Sequence, residues 1–468
     1  MQRLEVSDNG RYLVQEDGTP FLWIGDTAWH LADTLDREDV ELYLNNRAAK
    51  GFNVIQVAAF MGHEADAGQR RNPANAYGHR PFNGDDEPDP YRPYIAPAGR
   101  PAARPLARRM QAPPSDYWEH LDTIVRAARV RGLYLALLPC WGRRHVNGRS
   151  DRSEDVILDI RSAQAYGAFL GQRYGHEAHL IWVLGGDIGA DEPTDKRMVY
   201  RRMAEGLVKG ATGHDVTWDQ RHPAWDRLLM TYHPRGVQSS STWFHHDAWL
   251  DFHMIQTFKY RERVYEMVSA DYERRNPIRP VVMGEPAYEG FGGRSKLTSN
   301  AYHVRRQAYQ SFFAGAAGFT YGCAMSRLGG DGPLFDFGPG WKRLLDLPGA
   351  HNVAVELRAF LRARSWWDLV PDQELILEGQ GTGQTIKSAV VAADGSEVLV
   401  YFPDRTPALL CLDGIVGQRI TSTWFDPRDG DTQPAGVPIL LGEGAERPPA
   451  RFLPPHGWLD AVLILQGV

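Results

Sequence analysis

Two carboxylates of this chain stand where side chains commonly do chemistry. Asp187 closes the run IWVLGGD and Glu285 closes VVMGE, each directly after a glycine that lets the backbone bend sharply. Both runs are short, apolar and rich in β-branched residues, so both carboxylates stand at strand ends. Carboxylates facing each other across a cleft are what glycosidic bond cleavage uses: one protonates the leaving oxygen, the other attacks the anomeric carbon or activates water. For either residue alone, a helix cap or a structural salt bridge is the plain alternative. That alternative loses ground when both stand at strand ends of one sheet.

The ends of the other runs carry residues suited to holding a sugar. Trp29, Trp141, Trp243 and Tyr288 could stack on apolar ring faces. Asp26, His30, Arg143, His233, Gln256 and Tyr321 could meet hydroxyl groups. Asp26 reads equally as a partner of His30 or as a structural residue. Phe60, His63 and Glu289 lie close to the same ends. A metal reading rests on His245, His246, Asp247 and His253, but the adjacent histidines lack the i, i+4 spacing of a helical zinc site. No G-x-S-x-G is present, and Cys140 and Cys323 read as small buried thiols. No metal and no cofactor are expected.

These residues need a scaffold that brings strand ends together. Eight apolar runs, at 21–25, 52–58, 134–139, 180–184, 228–232, 252–257, 280–284 and 318–322, alternate with amphipathic stretches at 37–50, 116–131, 162–174, 196–209, 261–275 and 301–314. Strands apolar on both faces and separated by helices imply a parallel sheet covered by helices. Eight of them imply a (β/α)8 barrel, whose site lies at the C-terminal ends of the strands. A doubly wound open sheet is the alternative, disfavoured by the count and by the missing Gly-rich phosphate fingerprint.

A short polar hairpin is expected over residues 1–20. Segments 61–114 and 187–193 read as insertions on the side of the barrel that builds the site. Arg100, Arg104, Arg108 and Arg109 in the first are a solvated basic loop or a contact for an acidic polysaccharide. A helix at 348–363 closes a barrel domain of residues 1–370. Residues 371–468, with recurrent short strands and Asp-Gly turns, read as an antiparallel β-sandwich. Its role reads as bracing more than polysaccharide binding, with Trp366, Trp367 and Trp424 at the domain junction or in its core.

Composition bounds the rest. The chain has 468 residues, a net charge of −6, and 14 Trp and 19 Tyr. That charge argues against a basic nucleic-acid binder. No apolar run is long enough to span a bilayer, so no membrane partner is expected. Three Cys cannot form a disulfide framework. The start MQRLEVSDNG shows no signal peptide, which leaves a cytoplasmic protein or a mature exported form.

The strand-end motifs GDTAWHL (25–31), GFNVIQ (51–56), GLYLALLPCWG (132–142), IWVLGGD (181–187), LMTYHPRG (229–236), WLDFHMIQT (249–257), GEPAYE (284–289) and GAAGFTYG (315–322) resemble, in order, those of the apiosidase-like glycoside hydrolases, family 140. The remainder resembles the small β-domain that commonly follows that barrel. The resemblance implies a (β/α)8 barrel that cleaves a glycosidic bond in a plant cell-wall glycan, the known activity being removal of apiose-linked side chains from rhamnogalacturonan II. It places the family's catalytic pair on Asp187 and Glu285. With Asp187 as acid/base and Glu285 as nucleophile, hydrolysis is retaining, which calls for carboxyls about 5–5.5 Å apart instead of roughly 6.5–9.5 Å. Two rivals are a metal-dependent sugar isomerase or lyase using His233, His245, Asp187 and Glu285, and a non-catalytic carbohydrate-binding protein.

Overall fold

The computed structural model describes the chain apart from residues 63–69, 85–87, 96–115, 149–152, 292–297, 325–333, 339, 437–438 and 441–446. His63, Arg100, Arg104, Arg108 and Arg109 lie outside the described residues.

Eight parallel strands form the barrel: β1 (Trp23–Thr27), β2 (Val54–Ala58), β3 (Tyr134–Leu138), β4 (Leu180–Gly185), β5 (Leu229–His233), β6 (His253–Gln256), β7 (Val281–Glu285) and β8 (Gly318–Tyr321). The ladder runs β5-β4-β3-β2-β1-β8-β7-β6, and Gln238–Ser239 adds a short antiparallel strand to β6. Between β5 and β6 there is no ladder. Side chains bridge that seam instead: Thr231 Oγ1 donates to the Phe252 carbonyl (2.6 Å) and the Met230 amide to Asp251 (2.7 Å).

Strand periodicity sorts the residues by face. Trp23, Val54, Ala136, Ile181, Val183, Met254 and Val282 fill the barrel interior. Ile24, Ile55, Leu135, Trp182, Met230, Ile255 and Phe319 face the helices. Leu4–Val6 pairs with Leu13–Gln15, which pairs with Pro20–Phe21, and Leu4, Leu13 and Phe21 join the interior cluster from below. The hairpin thus plugs the floor and leaves the opposite mouth for chemistry.

The covering helices are α1 (Arg37–Lys50), α2 (Tyr117–Val130), α3 (Ile160–Tyr174), α4 (Arg197–Thr212), α5 (Val264–Tyr272) and α6 (Ala301–Phe313). Asp36, Asp116, Asp159 and Asn300 cap four of them by accepting amides of the first turn. α3 and α4, which flank β4, approach closely through glycines. A Cβ on Gly171 would lie 2.1 Å from the Leu207 carbonyl oxygen, and one on Gly210 2.0 Å from that of Ala168. Within the 61–114 segment, read as loop, Phe82–Asn83 pairs with Asp89–Pro93. No helix among the described residues is long and apolar enough to cross a membrane.

The C-terminal domain is an antiparallel sandwich. Its larger sheet includes Leu369–Pro371, Ser388–Ala392, Glu397–Phe402, Ala461–Gly467, Arg419–Phe425 and Thr432–Pro434 in that order, and Ile376–Glu378, Ala408–Leu410 and Ala450–Phe452 form the smaller. Val390, Leu399, Tyr401, Phe425 and Val462 belong to the barrel's outer core. Tyr309 of α6 stacks on Tyr401 at 5.1 Å, and Arg305 of α6 makes a buried ion pair with Asp460. Trp424 is buried inside the sandwich against Phe402, and Trp366 packs beside Tyr12 of the hairpin.

Burial also sets a pH response. His120 and His253 are fully enclosed, and desolvation above all lowers them to about 4 and about 3 respectively. An imidazole depressed in the fold contributes stability above its unfolded value, about 6.5, and that contribution is lost as pH falls towards the folded value. The urea midpoint is expected to drop between pH 7 and pH 5. A midpoint flat across that interval would contradict the assignment.

Candidate active site

The top layer of the barrel interior is polar: Thr27, Gln56, His233, Gln256 and Glu285 stand there, above a largely apolar interior. Glu285 reaches it through an irregularity. β6 and β7 pair Ile255 with Met283 and then Gln256 with Glu285, so Gly284 is skipped. Such a bulge re-aims the side chain that follows it. Gln56 Nε2 fastens the bulge from across the barrel by donating to the Gly284 carbonyl (2.8 Å).

Asp187 is set by three successive left-handed residues, Gly185 (φ 89°), Gly186 (φ 125°) and Asp187 itself (φ 52°). A Cβ on Gly186 would lie 2.9 Å from the Gly142 amide nitrogen and 3.0 Å from the Trp141 ring. Gly186→Ala is therefore expected to cost about 1–3 kcal/mol and to displace Asp187. Urea unfolding measures the first, and a midpoint equal to wild type would contradict it. Val237 (φ 64°), Phe258 (φ 51°) and Phe337 (φ 54°) are the other non-glycine residues with positive φ among those described. Val237 and Phe258 follow β5 and β6, so strain gathers at this mouth, as it does at functional sites.

His233 joins the two carboxylates. Its Nδ1 accepts the Asp187 amide at 3.3 Å, which fixes the proton on Nε2. Nε2 lies 3.0 Å from Glu285 Oε2, close enough to pair although off the in-line hydrogen-bond direction. Burial together with the Glu285 charge lifts the Tyr288 phenol well above the usual range. Trp29 Nε1 donates to the Tyr288 hydroxyl (3.1 Å), completing the wall. Glu285 is thus a buried carboxylate beside an imidazole and a phenol.

Asp187 is more open, with 28% of its side chain exposed against 8% for Glu285. Arg143 Nη1 meets Oδ2 at 2.5 Å and Gln256 Nε2 donates to Oδ1 at 3.3 Å. Arg143 is itself 42% exposed, so it is free to turn away when a ligand enters.

Of the residues read from sequence, Asp187, Glu285, Arg143, His233, Gln256, Trp29, Trp141 and Tyr288 come together. Trp29 lies 5.2 Å from Trp141 and 5.1 Å from His233, ring centre to ring centre. Both tryptophans are nearly buried. Trp243 packs against Tyr232 (5.6 Å) and beside Gly189 in the loop after β4. His30, at the end of the β1 loop, pairs with Asp33 (3.4 Å).

Two residues do not reach the cleft. Asp26 and Tyr321 are fully buried on the helix-facing side of β1 and β8. Asp26 pairs with Arg47 of α1 and accepts from Tyr43, both at 2.6 Å. Tyr321 donates to Glu289 (2.6 Å), which also accepts the Gly349 amide. Both readings are corrected to structural roles, because strand parity turns these side chains outward. His245 meets His253 at 3.0 Å at the opposite end of β6 from Gln256. Among the described residues no three His, Cys, Asp or Glu side chains gather into a metal set. Sequence reading missed Asp33, which accepts the Met61 and Gly62 amides (3.0 Å each) and the Tyr117 hydroxyl (2.7 Å). Its place three residues after His30 was the available signal.

A (β/α)8 barrel with carboxylates after β4 and β7, walled by tryptophan and tyrosine, is the framework of a glycoside hydrolase. The model of the apiosidase-like catalytic domain matches residues 7–368, and the chain belongs to that family. Residues 370–466 match the domain described as "Putative collagen-binding domain of a collagenase". A solved structure titled glycoside hydrolase is similar at 28% identity and TM-score 0.79, covering 100% of this chain and 97% of its own. A glycoside hydrolase family 5 protein from Bacteroides vulgatus gives 28% and 0.79, with 99% and 93% covered. A search of curated proteins found no match.

Proposed function

We propose that the chain is a retaining glycoside hydrolase that removes a terminal sugar from a plant cell-wall poly- or oligosaccharide, with apiose on a pectic side chain as the sugar. The observation that carries the reading is the unequal setting of the two carboxylates, joined through one imidazole of fixed tautomer. Glu285, enclosed beside His233 and Tyr288, is the nucleophile. Asp187, open to solvent, is the acid/base.

In the first step a Glu285 oxygen bonds to the anomeric carbon as the glycosidic C–O bond breaks. The leaving oxygen takes its proton from Asp187. In the second, water gives a proton to Asp187 while its oxygen bonds to the anomeric carbon and frees Glu285. Asp187 must be protonated to begin, so Arg143 has to leave its carboxylate as substrate binds. The family description supports the sugar, and the loops after β2 and β4 shape which glycan enters.

Proton NMR of the first-formed product on pectic glycans tests this reading. Release of apiose with the anomeric configuration of the substrate is expected. Inverted product would overturn retention, and a different released sugar would overturn the substrate.

A further inference from the structure

Two phenylalanines at the barrel mouth take no part in the chemistry above, yet both are mounted on it. Phe258 follows β6, and its amide donates to the Glu285 carbonyl oxygen at 3.2 Å, beside the Thr257 amide at 3.0 Å. Phe291 follows β7, and its amide donates to the Tyr288 carbonyl oxygen at 3.0 Å. Their rings meet at 4.7 Å with 59° between planes. Phe258 also lies against Gly236 in the loop after β5, so the pair spans the rim from that loop to the loop after β7.

Packing leaves part of each ring uncovered. Neither ring is buried, whereas most large aromatics of the described chain are. Phe258 holds φ at 51°, a conformation in which glycine or asparagine is the ordinary occupant. A backbone that favours glycine here carries a large, partly exposed aromatic ring. Phenylalanine has no polar edge, so what it recognises is apolar. The apolar part of a sugar is the face where its C–H bonds point.

We propose that Phe258 and Phe291 form an aromatic subsite for the C–H face of a pyranose ring, next to the sugar held at Glu285. The inference rests on the glycosidase reading and adds to it a second ring of the substrate. The backbone links to Glu285 and Tyr288 hold this subsite at a fixed offset from the reacting carbon. A ligand with two or more rings gains from it; a single sugar at Glu285 does not.

The test uses full-length protein carrying Glu285→Gln, which prevents turnover, with and without Phe258→Gly or Phe291→Ala. Calorimetry measures binding of apiose-bearing pectic oligosaccharides and of free apiose. Each substitution is expected to weaken oligosaccharide binding by about tenfold and leave apiose binding unchanged. Phe258→Gly also removes the left-handed strain, so its melting temperature is expected to equal or exceed that of its parent. Unchanged oligosaccharide affinity in both variants would overturn the subsite, and so would a marked fall in the melting temperature of Phe258→Gly, because the ring would then be packing. If the Glu285→Gln parent binds neither ligand, the glycosidase reading falls and the subsite with it. If the parent binds and the variants match it, the subsite alone falls.

Discussion

Replacing Glu285 by Gln is expected to lower kcat/KM on the cleaved glycan by about 10⁴-fold or more, because the amide cannot form the covalent intermediate. The substitution is nearly isosteric and removes no hydrogen bond seen at the Glu285 side chain, so the fold should survive it. Asp187→Asn should lose about 10²–10⁴-fold, the worth of a positioned acid/base. The Asp187 deficit should shrink on a substrate whose leaving group needs no protonation, while the Glu285 deficit should not. Comparing a natural glycan with an activated aryl glycoside measures this split. Equal sensitivity in the two variants would mean the roles are wrongly divided.

Asp460→Ala is expected to destabilise the protein by about 3–5 kcal/mol, the cost of stranding a buried charge. Arg305 Nε and Nη2 reach the two Asp460 oxygens at 2.9 and 2.5 Å, and Tyr401 donates to the same carboxylate at 2.9 Å. Both partners of the ion pair are enclosed, with 3% and 0% of their side chains exposed. Burial opposes the Arg305 charge and Asp460 more than restores it, so the guanidinium sits above its usual value. Truncation leaves that charge unpaired between α6 and the sandwich. Tyr401→Phe removes one hydrogen bond and should cost only about 1 kcal/mol. Urea unfolding followed on both domains separates the two cases. A midpoint for Asp460→Ala within error of wild type would show that the sandwich does not depend on this pair.

The barrel was legible because its strands are apolar on both faces and alternate with amphipathic stretches. Asp187 and Glu285 were legible because a glycine precedes each at a strand end. Face was harder to read than position. Asp26 and Tyr321 stand at strand ends like the others, but period-two alternation turns them to the helices, where Arg47 and Glu289 wait. Those partners are distant in sequence, so nothing local announced them. Phe258 and Phe291 were silent for another reason. A positive φ leaves no mark in the string Thr-Phe-Lys, and a pairing across two loops exists only after folding. The Gly284 bulge was likewise invisible, since register is a property of two strands together.

Under the proposed function, Glu285 and Asp187 together cleave a glycosidic bond. Product analysis on a panel of plant cell-wall glycans, including apiose-bearing pectic fragments, tests it most directly, with wild type beside Glu285→Gln and Asp187→Asn. A released sugar is expected from the wild type, absent with Glu285→Gln and steeply reduced with Asp187→Asn. Release that survives Glu285→Gln, or none from a folded wild type on any glycan, would contradict it.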